Sequence, residues 1–131
     1  MATVLHFVWS TKDRLTLVDS LIEARLYRAI VAKAQELNTT VHATGGIEDH
    51  VHLVVSVPPK VALSEFIGLV KGNSSHFVNH VIMPGFYFAW QAEYGVQSFS
   101  EKDLPAVVNY VKHQKEHHLQ GEIWEKLEQV D

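Results

Sequence analysis

Apolar and polar positions follow two periods along this chain, and each stretch predicts an element. Residues 2–9, ATVLHFVW, are rich in β-branched and aromatic types and predict a strand. The stretch 10–17, STKDRLTL, is polar and basic and predicts a loop. From a capping Asp19 or Ser20 to about Asn38, the residues Leu21, Ile22, Leu26, Ile30 and Leu37 recur at helical spacing. Residues 39–47, TTVHATGGI, predict a second strand, whose Gly45-Gly46 pair marks a bend or a close backbone approach. A short turn leads to HVHLVVSV, residues 50–57, a third strand ended by Pro58-Pro59. Ser64 to about Val81 predicts a helix with Phe66, Leu69, Val70 and Phe77 as its apolar stripe. After a loop at 83–87, residues 88–100 predict a strand interrupted by a turn or bulge. Ser100 or Asp103 then caps a helix running through VVNYVKHQKEHHL to Gly121, and the last ten residues predict a short further helix.

The order β-α-β-β-α-β-α predicts an α+β fold. Its first six elements match the ferredoxin-like split βαβ pattern, a four-stranded antiparallel sheet with two helices on one face. The helix bearing Tyr110 is an addition to that core.

Composition changes the picture in a few places. The 131 residues suit a single domain spanning 1–131, and 47% hydrophobic residues suffice for a packed core. There are no cysteines, which excludes disulfides, thiolate zinc sites and a cysteine nucleophile, and fits a reducing compartment. The opening residues lack the pattern of a signal peptide and no apolar run is long enough for a membrane span, so a cytoplasmic protein without membrane contact is expected. The net charge of -4 argues against a wholly basic nucleic-acid surface, so any DNA-binding surface must be a local patch. Nine histidines in so short a chain carry more information than the charge.

His50 and His52 are two apart on a predicted strand, so both side chains project from one face and can chelate one divalent ion. Val51 between them points into apolar packing. Tyr110, His113, Gln114 and His117 share one face of a predicted helix, at i, i+3, i+4 and i+7. Tyrosine is a competent nucleophile in phosphoryl transfer when aimed in line at phosphorus with the phosphate charge neutralised. Gln114, one turn past Tyr110, can bring its amide oxygen to the same ion, so one helix supplies nucleophile and third ligand. Histidines with a neutral amide oxygen suit Mg²⁺ or Mn²⁺ on a phosphate, and histidine pairs also take Zn²⁺. A lone tyrosine needs help to lose its proton, and His113 or Lys112 is the candidate helper.

DHVHLVV followed by YVKHQ resembles the single-tyrosine transposases of the HUH superfamily found in bacterial and archaeal insertion sequences. HFVWSTKDR resembles that family's first strand and basic loop, KGNSSHFVN its middle helix, FAWQAEYGVQSFS its later strand and EHH the segment after the tyrosine. The resemblance runs in order from residue 4 to 118. It implies His50, His52 and Gln114 as metal ligands and Tyr110 as nucleophile. It further implies a homodimer in which the tyrosine helix of one subunit can complete the other's site, and single-stranded DNA with subterminal hairpins as substrate. The implied reaction forms a 5′-phosphotyrosine and a free 3′-hydroxyl and needs no nucleotide cofactor.

Softer candidates accompany these. Lys12, Arg14 and Lys71, with Arg25 and Arg28, are expected to touch phosphates or else to be ordinary solvated charges. Tyr94 can stack an unpaired base, whereas Trp9 and Trp90 are expected in the core and His6, His42, His76 and His80 in structural roles. His117 and His118 fit either a place near the site or a solvated helix end. The alternatives are a domesticated relative processing chromosomal hairpin repeats, a non-catalytic module binding single-stranded nucleic acid, and a phosphohydrolase that uses water.

Overall fold

A computed structural model describes residues 3–130. The expected strand position Ala2 and the last residue of the expected terminal helix, Asp131, lie outside the described residues. The strands are β1 (Thr3–Ser10), β2 (Thr40–Ile47), β3 (His50–Val57) and β4 (Gly95–Ser98). The helices are α1 (Glu23–Glu36), α2 (Leu63–Phe77), α3 (Leu104–Lys112), α4 (Gln114–Gln120) and the single turn α5 (Glu125–Glu128). The sheet order is β2-β3-β1-β4, every neighbouring pair antiparallel. That is the ferredoxin-like arrangement expected from the element order.

Strand alternation sorts the side chains of the sheet into two layers. Leu5, Phe7 and Trp9 of β1 and Val51, Leu53, Val55 and Val57 of β3 join a core with Ile22, Leu26 and Ile30 and with Phe66, Ile67 and Val70 of α2. On the opposite face Val4, Ala43 and Val54 meet Val107, Tyr110 and Val111 of α3 and Leu127 of α5. The close-approach reading of Gly45 holds: a side chain there would collide with the Val111 carbonyl, so the glycine lets α3 lie directly on β2.

Three elements differ from the sequence reading. The stretch 88–94 is not a strand; only Thr11 and Trp90 form an isolated bridge there. Two backbone bonds, from the Lys12 amide to the Ala89 carbonyl and from the Gln91 amide to the Ser10 carbonyl, and several side chains hold it. Asn79 bonds both the carbonyl and the amide of Phe88, and the Lys71 ammonium donates to the carbonyls of Gln91, Ala92 and Glu93 at 2.6, 3.0 and 3.2 Å. α1 begins four residues after Asp19, whose Oδ1 accepts the Leu21 and Ile22 amides at 3.0 and 3.1 Å, ahead of the first helical residue.

The expected long helix from Asp103 to Gly121 breaks at His113, whose φ of -116° and ψ of 34° are not helical. Two side chains take over the carbonyls that a continuous helix would use. His113 Nδ1 bonds the Asn109 carbonyl at 2.8 Å, and Gln114 Nε2 donates to the Tyr110 carbonyl at 3.2 Å. Each is a contact to residue i−4, so the side chains replace the ladder locally. α4 then ends at Gly121 in the left-handed conformation (φ 71°). Among the described residues no helix is long and apolar enough to cross a membrane.

Candidate active site

His50 and His52 project from β3 onto the α3 face of the sheet, and both are buried. Their Nδ1 atoms are already engaged. His50 Nδ1 lies 2.8 Å from Asp49 Oδ1, and His52 Nδ1 lies 2.7 Å from Nε2 of His6, also buried, on the adjacent strand β1. Both Nε2 atoms therefore face the interior of the site, the orientation in which a second hydrogen-bonded partner fixes a metal-binding imidazole.

Gln114 completes the trio. Its amide orientation is set by donation to the Tyr110 carbonyl, which turns Oε1 to within 3.2 Å of His50 Nε2 and 3.1 Å of His118 Nε2. The amide oxygen thus stands beside the His50 and His118 nitrogens, with His52 Nε2 joined to His50 through a shared Glu128 oxygen, and imidazole nitrogens with an amide oxygen are donors that fit a divalent cation. The helix break makes this possible, because Gln114 opens α4 rather than continuing α3.

Tyr110 stands over the same point. Its ring meets His52 edge-on, with centroids 5.9 Å apart, and lies 4.9 Å from the ring of His117. The residue is 5% exposed. Its hydroxyl donates to Glu128 in a short hydrogen bond and accepts the Trp124 amide at 3.1 Å. Burial, then the neighbouring Glu128 carboxylate, push the phenol up to about 12.

Glu128 ties the cluster together. One of its oxygens, Oε1, is 3.2 Å from His50 Nε2 and 3.1 Å from His52 Nε2. The other bonds Tyr110 and lies 3.4 Å from His118 Nε2. Burial alone would raise the Glu128 carboxyl, but the hydrogen bonds from His50 and His52 outweigh it and hold the group well below the ordinary carboxylate range. His50 is drawn in two directions. Burial lowers it, yet Glu128 and Asp49 prevail and raise it above its usual value. For His52 burial wins and the ring is lowered; His6, buried beside it, falls to about 3. One imidazole in the site therefore favours a positive charge and two resist it.

The softer candidates separate cleanly. Arg14 lies at the mouth, in a cleft it lines with Ser10, His50, His118 and Glu128, and its Nε is 3.5 Å from Asp49 Oδ2. Lys12 is exposed on the same turn. Lys71 is not available to a phosphate, because the loop carbonyls take up its ammonium. His113 is exposed and bonds Asn109, so it does not reach the Tyr110 hydroxyl. Lys112 is exposed as well. Trp9 is core as expected, and half-buried Trp90 packs edge-on against it while donating to Ser74 Oγ at 3.0 Å. Glu128 was invisible to pattern reasoning, because nothing near it in the chain marks it. The sequence gives His6 only a structural role, because its contact with His52 depends on strand pairing. His118 carried a signal, standing one turn past Gln114.

Known proteins share the sequence family and the fold. Over 79 residues the chain is 32% identical to transposases for insertion sequence element IS200 of Salmonella typhimurium and Salmonella typhi, matching 56% of this chain and 51% of each relative. The chain thus matches about half the length of these curated relatives. A solved structure from Deinococcus radiodurans R1, described as a transposase, shares the fold with a TM-score of 0.68, 22% identity, 87% of this chain and 92% of that one. A REP-associated tyrosine transposase bound to a REP hairpin shares it with a TM-score of 0.67, 16% identity, 92% of this chain and 70% of that one. The family profile of IS200-like transposases matches residues 2–114, and the chain belongs to that family.

Proposed function

We propose that this chain cleaves and rejoins single-stranded DNA, with Tyr110 as nucleophile and a divalent ion, Mg²⁺ or Mn²⁺, held by His50, His52 and Gln114. The observation that carries the reading is the convergence of three elements. The two Nε2 atoms of β3, the Gln114 amide oxygen and the Tyr110 hydroxyl all meet at the Glu128 carboxylate or next to it. Held there, such an ion would neutralise charge on the non-bridging phosphate oxygens.

The remaining chemistry belongs to the chain. The Tyr110 oxygen attacks phosphorus as its proton departs, and the bond from phosphorus to the 3′ oxygen breaks. The products are a 5′-phosphotyrosine and a strand ending in a 3′-hydroxyl. The ester keeps the phosphodiester energy, so rejoining needs no nucleotide cofactor. α3 positions the phenol, and packing of Val107 and Val111 beside it limits its drift. Glu128, not His113, is the group that receives the phenolic hydrogen bond. While that bond persists and the site is empty of cation, the phenol stays protonated, consistent with its raised value.

The structural relative bound to a REP hairpin supports DNA with hairpins near the cleavage point as the substrate class. Arg14 and Lys12 are then the cations nearest the incoming strand. A homodimer follows from the same family reading, although Tyr110 already reaches the histidines of its own chain; sedimentation showing a monomer at high concentration counts against it.

The test uses labelled single-stranded DNA carrying hairpins with Mg²⁺ or Mn²⁺, separated on denaturing gels. A covalent protein–DNA band that needs the metal and is lost in Tyr110→Phe is expected. Nicking that survives in Tyr110→Phe would overturn the nucleophile and favour attack by water.

A further inference from the structure

We infer that Glu128, carried to the site by the C-terminal segment, is a fourth protein ligand of the metal. This rests on the reading of His50, His52 and Gln114 as ligands and adds a residue outside the motif.

Glu128 Oε1 is 3.2 Å from His50 Nε2 and 3.1 Å from His52 Nε2, and Gln114 Oε1 is also 3.2 Å from His50 Nε2. Adjacent ligand atoms about an ion with bonds of about 2.1 Å stand roughly 3.0 Å apart. The carboxylate oxygen thus stands as near to His50 Nε2 as the amide oxygen does, and it also reaches His52 Nε2.

Donors and acceptors around His50 do not match in number. His50 faces three acceptor oxygens: Asp49 Oδ1 at one nitrogen, and Gln114 Oε1 and Glu128 Oε1 at the other. Gln114 cannot be turned to offer its NH₂ there without losing its bond to the Tyr110 carbonyl. A neutral imidazole has one N–H for these three oxygens. Positive charge belongs between Nε2 and the two oxygens beside it; a second proton on the ring can supply it, and a divalent ion in that proton's place satisfies both oxygens and the ring nitrogen at once.

A built structure delivers the carboxylate. Leu127 is buried against the Tyr110 cluster, and the Trp124 amide donates to the Tyr110 hydroxyl. Gly95 of β4 leaves room for the Gln129 carbonyl, which any side chain at position 95 would strike. Anchors on both sides of Glu128 set its place independently of its charge. The charge balance also improves, because two imidazoles and an amide leave a divalent ion uncompensated and Glu128 adds one negative charge. With one oxygen on the ion and the other on the Tyr110 hydroxyl, Glu128 would tie nucleophile and metal into one unit.

The experiment is Mn²⁺ titration of the metal-free full chain by calorimetry at pH 7.5, with Mn²⁺ electron paramagnetic resonance as a second readout. Wild type, His52→Ala, Glu128→Gln and Glu128→Asp are compared, each checked for folding by circular dichroism. The expected result is a Kd weakened tenfold or more in Glu128→Gln and a changed Mn²⁺ spectrum. Glu128→Asp, which keeps the charge but shortens the reach, should fall between the two and serves in place of Glu128→Gln if that variant fails to fold. Unchanged or tighter Mn²⁺ binding in Glu128→Gln, with binding lost in His52→Ala, overturns the inference and leaves the three-ligand site intact. Wild-type protein that binds no Mn²⁺, or binding unaffected by His52→Ala, overturns the three-ligand reading itself and this inference with it.

Discussion

The two faces of the sheet are both buried, and they differ in almost everything else. Val51, Leu53 and Val55 of β3 point toward α1 and α2 and join the apolar core there. His50 and His52, their immediate neighbours in the chain, point to α3 and enter a network of Asp49, His6, Gln114 and Glu128. Burial stabilises the first face through apolar area removed from water. On the second it imposes a desolvation cost that the polar partners must offset. The comparison teaches that one strand can separate stability from chemistry residue by residue, because its side-chain period is two.

The largest expected effect breaks the chemical face alone. Tyr110→Phe should lower formation of the covalent adduct by at least about 10³-fold, as loss of a nucleophile does, while the protein still folds and binds hairpin DNA. Next, His52→Ala and Leu53→Ala set the two faces against each other at adjacent positions. His52→Ala should weaken Mn²⁺ binding by more than about 100-fold, beyond what losing an orienting partner costs. Leu53→Ala should cost about 2–5 kcal/mol in denaturant unfolding and leave the Mn²⁺ affinity of the folded molecules unchanged. Equal effects of the two on metal binding would mean that the faces are not separable.

His6 sharpens the comparison, being a histidine whose work is to orient another. His6→Phe should weaken Mn²⁺ binding by about 10–100-fold, read by calorimetry. It should also change the response to acid. With His6 held near 3 in the fold, the unfolded chain takes up a proton at about 6.5 that the folded chain refuses. Stability from this source is present above pH 6.5 and is lost as pH falls toward 3. Thermal melts of the metal-free protein at pH 7 and pH 5 should therefore differ less in His6→Phe than in wild type. The smallest effect is expected at Gly45→Ala, where the new methyl meets the Val111 carbonyl; about 1–3 kcal/mol of destabilisation should follow in denaturant melts.

Much of the chemical face was legible because it follows from local periods. The H-x-H spacing puts two imidazoles on one side of any strand, and Gln114 lies one turn from Tyr110 whether or not the helix breaks between them. The break itself was not legible, since it arises when His113 and Gln114 side chains compete for carbonyls that helical pattern reasoning assigns to the backbone. Lys71 reads as a free cation in the sequence. Its partners are carbonyls of a loop some twenty residues on, which only tertiary structure brings near. Glu128 is the clearest case. Its role depends on the C-terminal segment folding back over α3 and β4, and no local pattern encodes that docking. His6 joins His52 through the pairing of β1 with β3, a long-range fact of the same kind.

The most direct test of the central claim is to locate the DNA-linked residue in the covalent adduct. The protein is trapped on hairpin-bearing single-stranded DNA with Mn²⁺, digested with nuclease and protease, and mapped by mass spectrometry. The chain has four tyrosines, Tyr27, Tyr87, Tyr94 and Tyr110. The account predicts the nucleotide remnant on the peptide containing Tyr110 and on no other. A remnant on the exposed Tyr87 or on Tyr94, with the Tyr110 peptide unmodified, would contradict it.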